Sequence, residues 1–204
     1  KIMQDNFSSG KLITADVKAA GEAWNKTRMY WEKSEAFLYG PAANHNIDPH
    51  IDSWPLDKMA LDNTLLEIKN GESWSIETMG YGLLGFHSVE YMLFELVNGD
   101  TESQPRSVEK FTAEELEYLV AVANDLRNQC ILLESCWAGL DNLSAEKQLI
   151  LEDAELGYDE NYGNMMINAG QAGSIYKTYQ EVAEEIVQGC IDIADEVGNT
   201  KKKK

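Results

Sequence analysis

Apolar residues return every three or four positions over most of the chain, the spacing of one helix face. Val17, Ala20, Trp24, Trp31 and Leu38 predict one long helix from Thr14 to Tyr39, stopped by Gly40-Pro41. Glu35 lies on the same stripe, four past Trp31 and three before Leu38. A carboxylate there is either buried and paired or at a pocket rim, because burying it alone is too costly. An irregular segment, Pro41 to Trp54, follows. Asp52 or Ser53 is expected to cap a helix from Leu56 to Lys69, with Pro55 in its first turn and Leu56, Met59 and Leu66 on its face.

Ser75 or Thr78 then opens a helix expected to run to about Val97, before Asn98-Gly99-Asp100 and a polar loop over 101–110. On it Leu83, His87, Glu90, Phe94 and Val97 share a stripe. Thr112-Ala113-Glu114-Glu115 reads as a capping box. It starts a long helix with Leu116, Leu119, Val120, Ala123, Leu126, Cys130, Leu133, Trp137 and Leu140 on one face. A shorter helix spans Ser144 to Leu156, and 158–173 reads as a lid or a helix entry. Ile175, Tyr179, Val182, Ile186, Cys190, Ile193 and Val197 mark the last helix, with Gly198 in the place of its C-terminal cap. The Met165-Met166 pair and Trp24, Tyr30 and Trp31 read as core. No strand-like alternation appears. Five or six helices with single apolar stripes predict an all-α, up-and-down helical bundle over residues 1–200. The block 201–204 reads as a basic tail without a structural role.

Composition changes this picture little: 44% hydrophobic and 25% charged is ordinary for a globular chain of 204 residues. No apolar run is long enough for a membrane span. The chain opens Lys1-Ile2-Met3-Gln4, which predicts either a removed leader or a start inside a longer protein. Charge matters more. A net charge of −18 repels phosphate backbones and anionic membranes, so nucleic-acid partners are disfavoured, while cations and plain solubility both fit. Cys130, Cys136 and Cys190 form no Cys-x-x-Cys pattern. Cys130 and Cys190 fall on apolar stripes, as small buried hydrophobes do, and a disulfide between two helices stays open.

His87 and Glu90, three apart on one helix face, are the first candidate chemistry. Such pairs build carboxylate-bridged metal sites in bundles, and they also occur as satisfied core hydrogen bonds. The order is not the His-Glu-x-x-His of zinc proteases. Gly80, Gly82 and Gly85 lie just before the pair. Each costs about 1 kcal/mol inside a helix, so either a neighbour approaches closely or the helix starts nearer Leu83. Asp48, His50 and Asp52 alternate upstream, as cation ligands or as caps of a polar turn. No Ser-His-Asp or Cys-His local motif and no phosphate-cradling glycine loop is present.

Gly85-Phe86-His87-Ser88-Val89-Glu90 resembles the Gly-x-His-x-x-Glu signature of the imelysin-like proteins. The runs 31–42 and 47–56, and the ending 193–200, are similar to further blocks of that family, so the resemblance covers roughly Thr14 to Thr200. It implies a bacterial cell-envelope protein, periplasmic or outer-membrane-associated, with a lipid anchor in the precursor and a tie to iron regulation and uptake. It also implies a fold of two helical bundles, of which this chain resembles the N-terminal half, and it marks His87 and Glu90 as metal-site or active-site residues.

The expected function is therefore metal binding, with iron the expected ion and zinc an alternative, through His87, Glu90 and Glu35. The expected partners are the ion itself and iron-uptake components of the envelope. Mixed carboxylate and imidazole ligation suits iron. Two other classes stay open: a zinc-type metallopeptidase in which His87 and Glu90 are catalytic, and a non-catalytic interaction domain in which they only hydrogen-bond across helices.

Overall fold

A computed structural model describes residues 1–95 and 104–200. Among these residues the chain is helical with no β-strand. Ten α-helices follow one another: α1 (Ile2–Ser8), α2 (Thr14–Ser34), α3 (Pro41–Asn44), α4 (Ile47–Ile51), α5 (Lys58–Lys69), α6 (Gly85–Phe94), α7 (Ala113–Ala138), α8 (Ala145–Asp153), α9 (Tyr162–Ile167) and α10 (Tyr179–Asp195). No described helix is long and apolar enough to cross a membrane. The all-α class expected from the periodicity is the one observed. The described residues form two compact units, the first of 1–29, 49–95 and 104–127 and the second of 30–48 and 128–200.

In the first unit α6 is buried nearly all round: Phe86, Val89, Glu90, Met92, Leu93 and Phe94 are all inside. Trp24 of α2 meets Phe86 and Phe94 edge-on at centroid distances of 6.4 and 5.6 Å. Its indole N–H donates to the Phe86 carbonyl at 3.1 Å, so this large ring is buried with its polar atom satisfied. Tyr118 of α7 is fully buried, and its hydroxyl donates to the Leu83 carbonyl. The capping box opens α7 as expected: Thr112 N–H donates to Glu115 Oε2 at 3.0 Å, and Glu115 N–H to Thr112 Oγ1 at 3.3 Å. Arg106 is buried and binds the Met92 and Lys110 carbonyls and the Glu115 carboxylate.

In the second unit Tyr162, Met166, Ala169 and Tyr176 form a buried cluster, with Tyr39, Trp137, Val182 and Ile186 packed against it. The Tyr162 and Tyr176 hydroxyls lie 2.6 Å apart, and both donate to Glu185 of α10. Gly189 lets α10 run close to the 3-10 turn Glu35–Phe37, since a Cβ there would stand 2.2 Å from the Ala36 carbonyl oxygen.

Several boundaries differ from expectation, each for a local reason. The first long helix ends at Ser34 and tightens into the 3-10 turn at Glu35–Phe37, and Gly40 at φ 58° then redirects the chain into α3. The segment 41–54 is not irregular but holds α3 and α4. The next helix starts at Lys58, capped by Asp57, whose side chain accepts from Ala60 N–H, and not by Asp52 or Ser53. It buries Leu61 and Thr64, leaving Met59 and Leu66 exposed. Its inward side is therefore offset from the one drawn through the larger residues.

The helix expected from Ser75 or Thr78 to Val97 is only α6. Two 3-10 turns, Ile76–Thr78 and Tyr81–Leu83, precede it, leaving Gly80 and Gly82 outside the helix. It closes at Glu95 in a left-handed conformation. Val97, the Asn98-Gly99-Asp100 stop, the first residues of the 101–110 loop and the 201–204 tail lie outside the described residues.

The inward face of α7 carries Tyr118, Val122 and Cys136, while Ala123 and Leu140 point outward. The stretch 158–173 contains α9, capped by Asn161, and α10 begins after Ile175 with Thr178 as its cap. Gly198 is not a cap: residues 196–200 continue as a π-helical turn. Tyr30 is exposed, and so is Cys190, while Cys136, not Cys130, is the fully buried thiol. Cys136 and Cys190 are free thiols.

Candidate metal centre

The entry to α6 is built on Gly85. It adopts φ +72°, and a Cβ there would stand 2.1 Å from the Ile51 carbonyl oxygen. Only glycine lets the start of α6 come this close to the end of α4. This explains the first position of the signature in steric terms. It also brings Asp52, one residue past α4, beside the first turn of α6.

There His87 is held from both sides. Its Nδ1 lies 2.8 Å from Glu90 Oε2 and its Nε2 lies 3.2 Å from Asp52 Oδ1. Asp52 also accepts from the Arg28 guanidinium of α2, which sits over the Phe86 ring at 5.3 Å. The Trp54 ring stands edge-on to the imidazole at 4.8 Å. The His87 side chain is 20% exposed and those of Asp52 and Glu90 are 12% exposed each, so the charges interact in a poorly screened setting while the ring keeps a path to solvent.

The electrostatics follow from that geometry. Burial works to lower the His87 pKa, but hydrogen bonds to Asp52 and Glu90 outweigh it and raise it from 6.5 to about 9. Burial works to raise Asp52, yet its bonds from His87 and Arg28 prevail and hold it at about 2. Arg28 and the protonated His87 thus face the carboxylates of Asp52 and Glu90.

The donor set suits a first-row cation. Two donors on one cation with bonds near 2.1 Å stand roughly 3.0 Å apart at right angles and about 3.4 Å apart in a tetrahedron. The 3.2 Å between His87 Nε2 and Asp52 Oδ1 falls in that interval. Glu90 on the opposite nitrogen is placed as an orienting carboxylate, which fixes the tautomer that turns Nε2 outward.

The expected residues are thus partly gathered. His87 and Glu90 meet as the spacing predicts, and Asp52 joins them from the upstream loop. Glu35 belongs to the second unit, where it is buried in the turn after α2. His50 and Asp52 take different partners: His50 Nε2 pairs with Asp125 at 2.9 Å, and Asp52 turns to Arg28 and His87, while Asp48 belongs to the second unit. Arg28 was not anticipated, though its position had a signal. It falls on the α2 stripe four past Trp24 and three before Trp31, where a charge needs a partner.

Comparison with known proteins agrees with the sequence blocks. The imelysin family model matches residues 8–204. The iron-regulated protein A of Synechococcus elongatus is 28% identical over 187 residues, covering 92% of this chain and 43% of that protein. A crystal structure from Parabacteroides distasonis, of a protein named by inference as an iron-regulated protein A precursor, superposes with a TM-score of 0.73 at 28% identity. It covers 98% of this chain and 51% of that one. The chain spans about half the length of these relatives. With a family model matched from residue 8 to residue 204, this chain belongs to the imelysin family.

Proposed function

We propose that this chain is part of an iron-associated protein of the cell envelope, with His87 and Asp52 as cation ligands and Glu90 as the carboxylate that orients the imidazole. The observation that carries the reading is the 3.2 Å separation of His87 Nε2 and Asp52 Oδ1, with Nδ1 held independently by Glu90. A cation would take the place of the proton shared between the first two atoms. Arg28 keeps Asp52 ionised but competes for the same carboxylate, which limits affinity. Iron as the ion draws support from the names of the two relatives, and its chemistry accepts mixed imidazole and carboxylate donors. An envelope location draws support from the precursor form named for the structural relative.

Binding fits this centre better than hydrolysis. Bound to a cation, His87 would be a ligand with its Nδ1 held by Glu90, which leaves neither group available as a general base. A zinc-type peptidase centre also needs three protein ligands and an open position, where this cluster offers two ligands and an orienting group. The test is calorimetric titration of chelator-treated protein with ferrous, ferric and zinc ions, beside a His87→Ala/Glu90→Ala double variant. Binding by the wild type that the double variant loses is expected. Equal binding by both contradicts the assignment.

A further inference from the structure

A second cluster of metal-type donors lies in the second unit, apart from the signature helix. His45 Nε2 and Glu160 Oε2 are 2.8 Å apart. Cys136 joins them, so that one donor atom from each residue lies within 4.8 Å of the other two. The three residues come from separate elements: His45 caps the end of α3, Cys136 lies in the last turn of α7, and Glu160 precedes α9. We propose that His45, Cys136 and Glu160 form a site for a borderline divalent transition cation of the zinc type.

The donor chemistry selects the ion. A thiolate with an imidazole disfavours magnesium and calcium and suits zinc, and a carboxylate completes a mixed set that zinc accepts. Thiolate and carboxylate together balance a doubly charged ion, so the buried site becomes neutral on binding. Bonds of about 2.0–2.3 Å at tetrahedral angles place donors roughly 3.3–3.7 Å apart. From the observed spacing each side chain needs to shift by no more than on the order of 1 Å. Three protein donors leave a fourth position for water.

The surroundings are firm where the donors need it and open where the ion must enter. The Tyr158 ring stacks on His45 at 3.6 Å, which fixes the plane of the imidazole. Asn161 ties Glu160 to the end of α7: its side-chain amide donates to the Ala138 carbonyl at 2.8 Å while its oxygen caps α9 through Asn164 N–H. Gly139, at φ +86°, leaves room for that amide, since a Cβ would stand 2.6 Å from it. Cys136 is fully buried, whereas the His45 and Glu160 side chains are 21% and 16% exposed. Glu160 also lines a cavity of about 480 Å³ with Tyr158 and Asn161, so one of the three donors borders open space. A small buried hydrophobe beside an ion pair would account for Cys136 alone; it gives no reason for a thiol to share its neighbourhood with both members of the pair.

This site shares no residue with the His87 cluster, and the test separates the two. Cobalt(II) is titrated into the reduced full chain, and the thiolate-to-cobalt charge-transfer band is followed in the near ultraviolet. The wild type, Cys190→Ala and His87→Ala are all expected to show the band, bleached by zinc, and in His87→Ala it should saturate at one equivalent. Cys136→Ala should lose it, and Glu160→Gln, which keeps the thiol, should bind at least about 10-fold more weakly. No band from the wild type, or a band that survives in Cys136→Ala, overturns the proposal. If Cys136→Ala fails to fold, Glu160→Gln decides, and wild-type affinity in that variant overturns it.

Discussion

His87 Nε2 lies 3.2 Å from Asp52 Oδ1, and the opposite ring nitrogen lies 2.8 Å from Glu90, so the imidazole is clasped by carboxylates at both ends. Stability must then depend on pH. Burial opposes the charged ring but the two carboxylates prevail, raising His87 from 6.5 to about 9. A folded-state pKa above the unfolded one gives a contribution that is complete below about pH 6.5 and lost as pH rises through about 9. The shift corresponds to about 3 kcal/mol. On the acid side Asp52, held at about 2 against 3.8, contributes above about pH 4 and loses its share as pH falls through about 2. Thermal unfolding in chelator should therefore show a midpoint that falls between about pH 6.5 and 9 in the wild type and is nearly flat there in His87→Gln. A flat wild-type profile contradicts the clasp.

Arg28 and Asp52 side chains are only 17% and 12% exposed, so removing the cation takes away part of the compensation of a buried carboxylate and leaves more of it to His87. Arg28→Met should cost about 3 kcal/mol by denaturant unfolding. Losing a nearby positive charge should also push the His87 titration above its wild-type value, as followed by ring-proton NMR. A His87 titration that falls in this variant speaks against the shared network.

Gly85→Ala meets two penalties at once. The left-handed backbone costs about 1–2 kcal/mol for a residue with a Cβ, and the overlap with the Ile51 carbonyl adds about 1–3. A loss of about 2–5 kcal/mol is expected by urea unfolding, with weaker cation binding because α6 and Asp52 are pushed apart. A neutral substitution would remove the steric explanation of the signature glycine.

Gly189→Ala is the complementary case in the second unit. In an open helix this change would stabilise by about 1 kcal/mol. Here the new Cβ would reach within 2.2 Å of the Ala36 carbonyl oxygen, so the sign reverses. Faster amide exchange across Tyr179–Asp195 is expected, since α10 must move away from the 35–37 turn. Unchanged exchange protection would contradict the close approach.

How far the sequence carries can be judged from these same residues. The helical spacing that placed His87 beside Glu90 was legible, because three residues along a helix is a local relation. The capping box at Thr112 was legible for the same reason. Asp52 was seen only as a cap or loop ligand, because its partners come from α2 and α6 and no local rule joins them. Its capping role went to Asp57, nearer the helix start. The early start assigned to the signature helix failed because periodicity does not register a backbone that turns left-handed at Gly85. Cys136 was passed over as unremarkable since its neighbours His45 and Glu160 lie far away in the chain. Arg28 could have been found: a charge on the Trp24–Trp31 stripe asks for a buried partner.

The division of labour at His87 is tested most directly by ring-nitrogen NMR of the imidazole during titration with zinc, a diamagnetic stand-in for iron. The account predicts that Nε2 takes the shift of a metal-bound nitrogen while Nδ1 keeps its proton on Glu90, and that His87→Ala shows no corresponding site. A ring that stays protonated on both nitrogens at saturating zinc would contradict it.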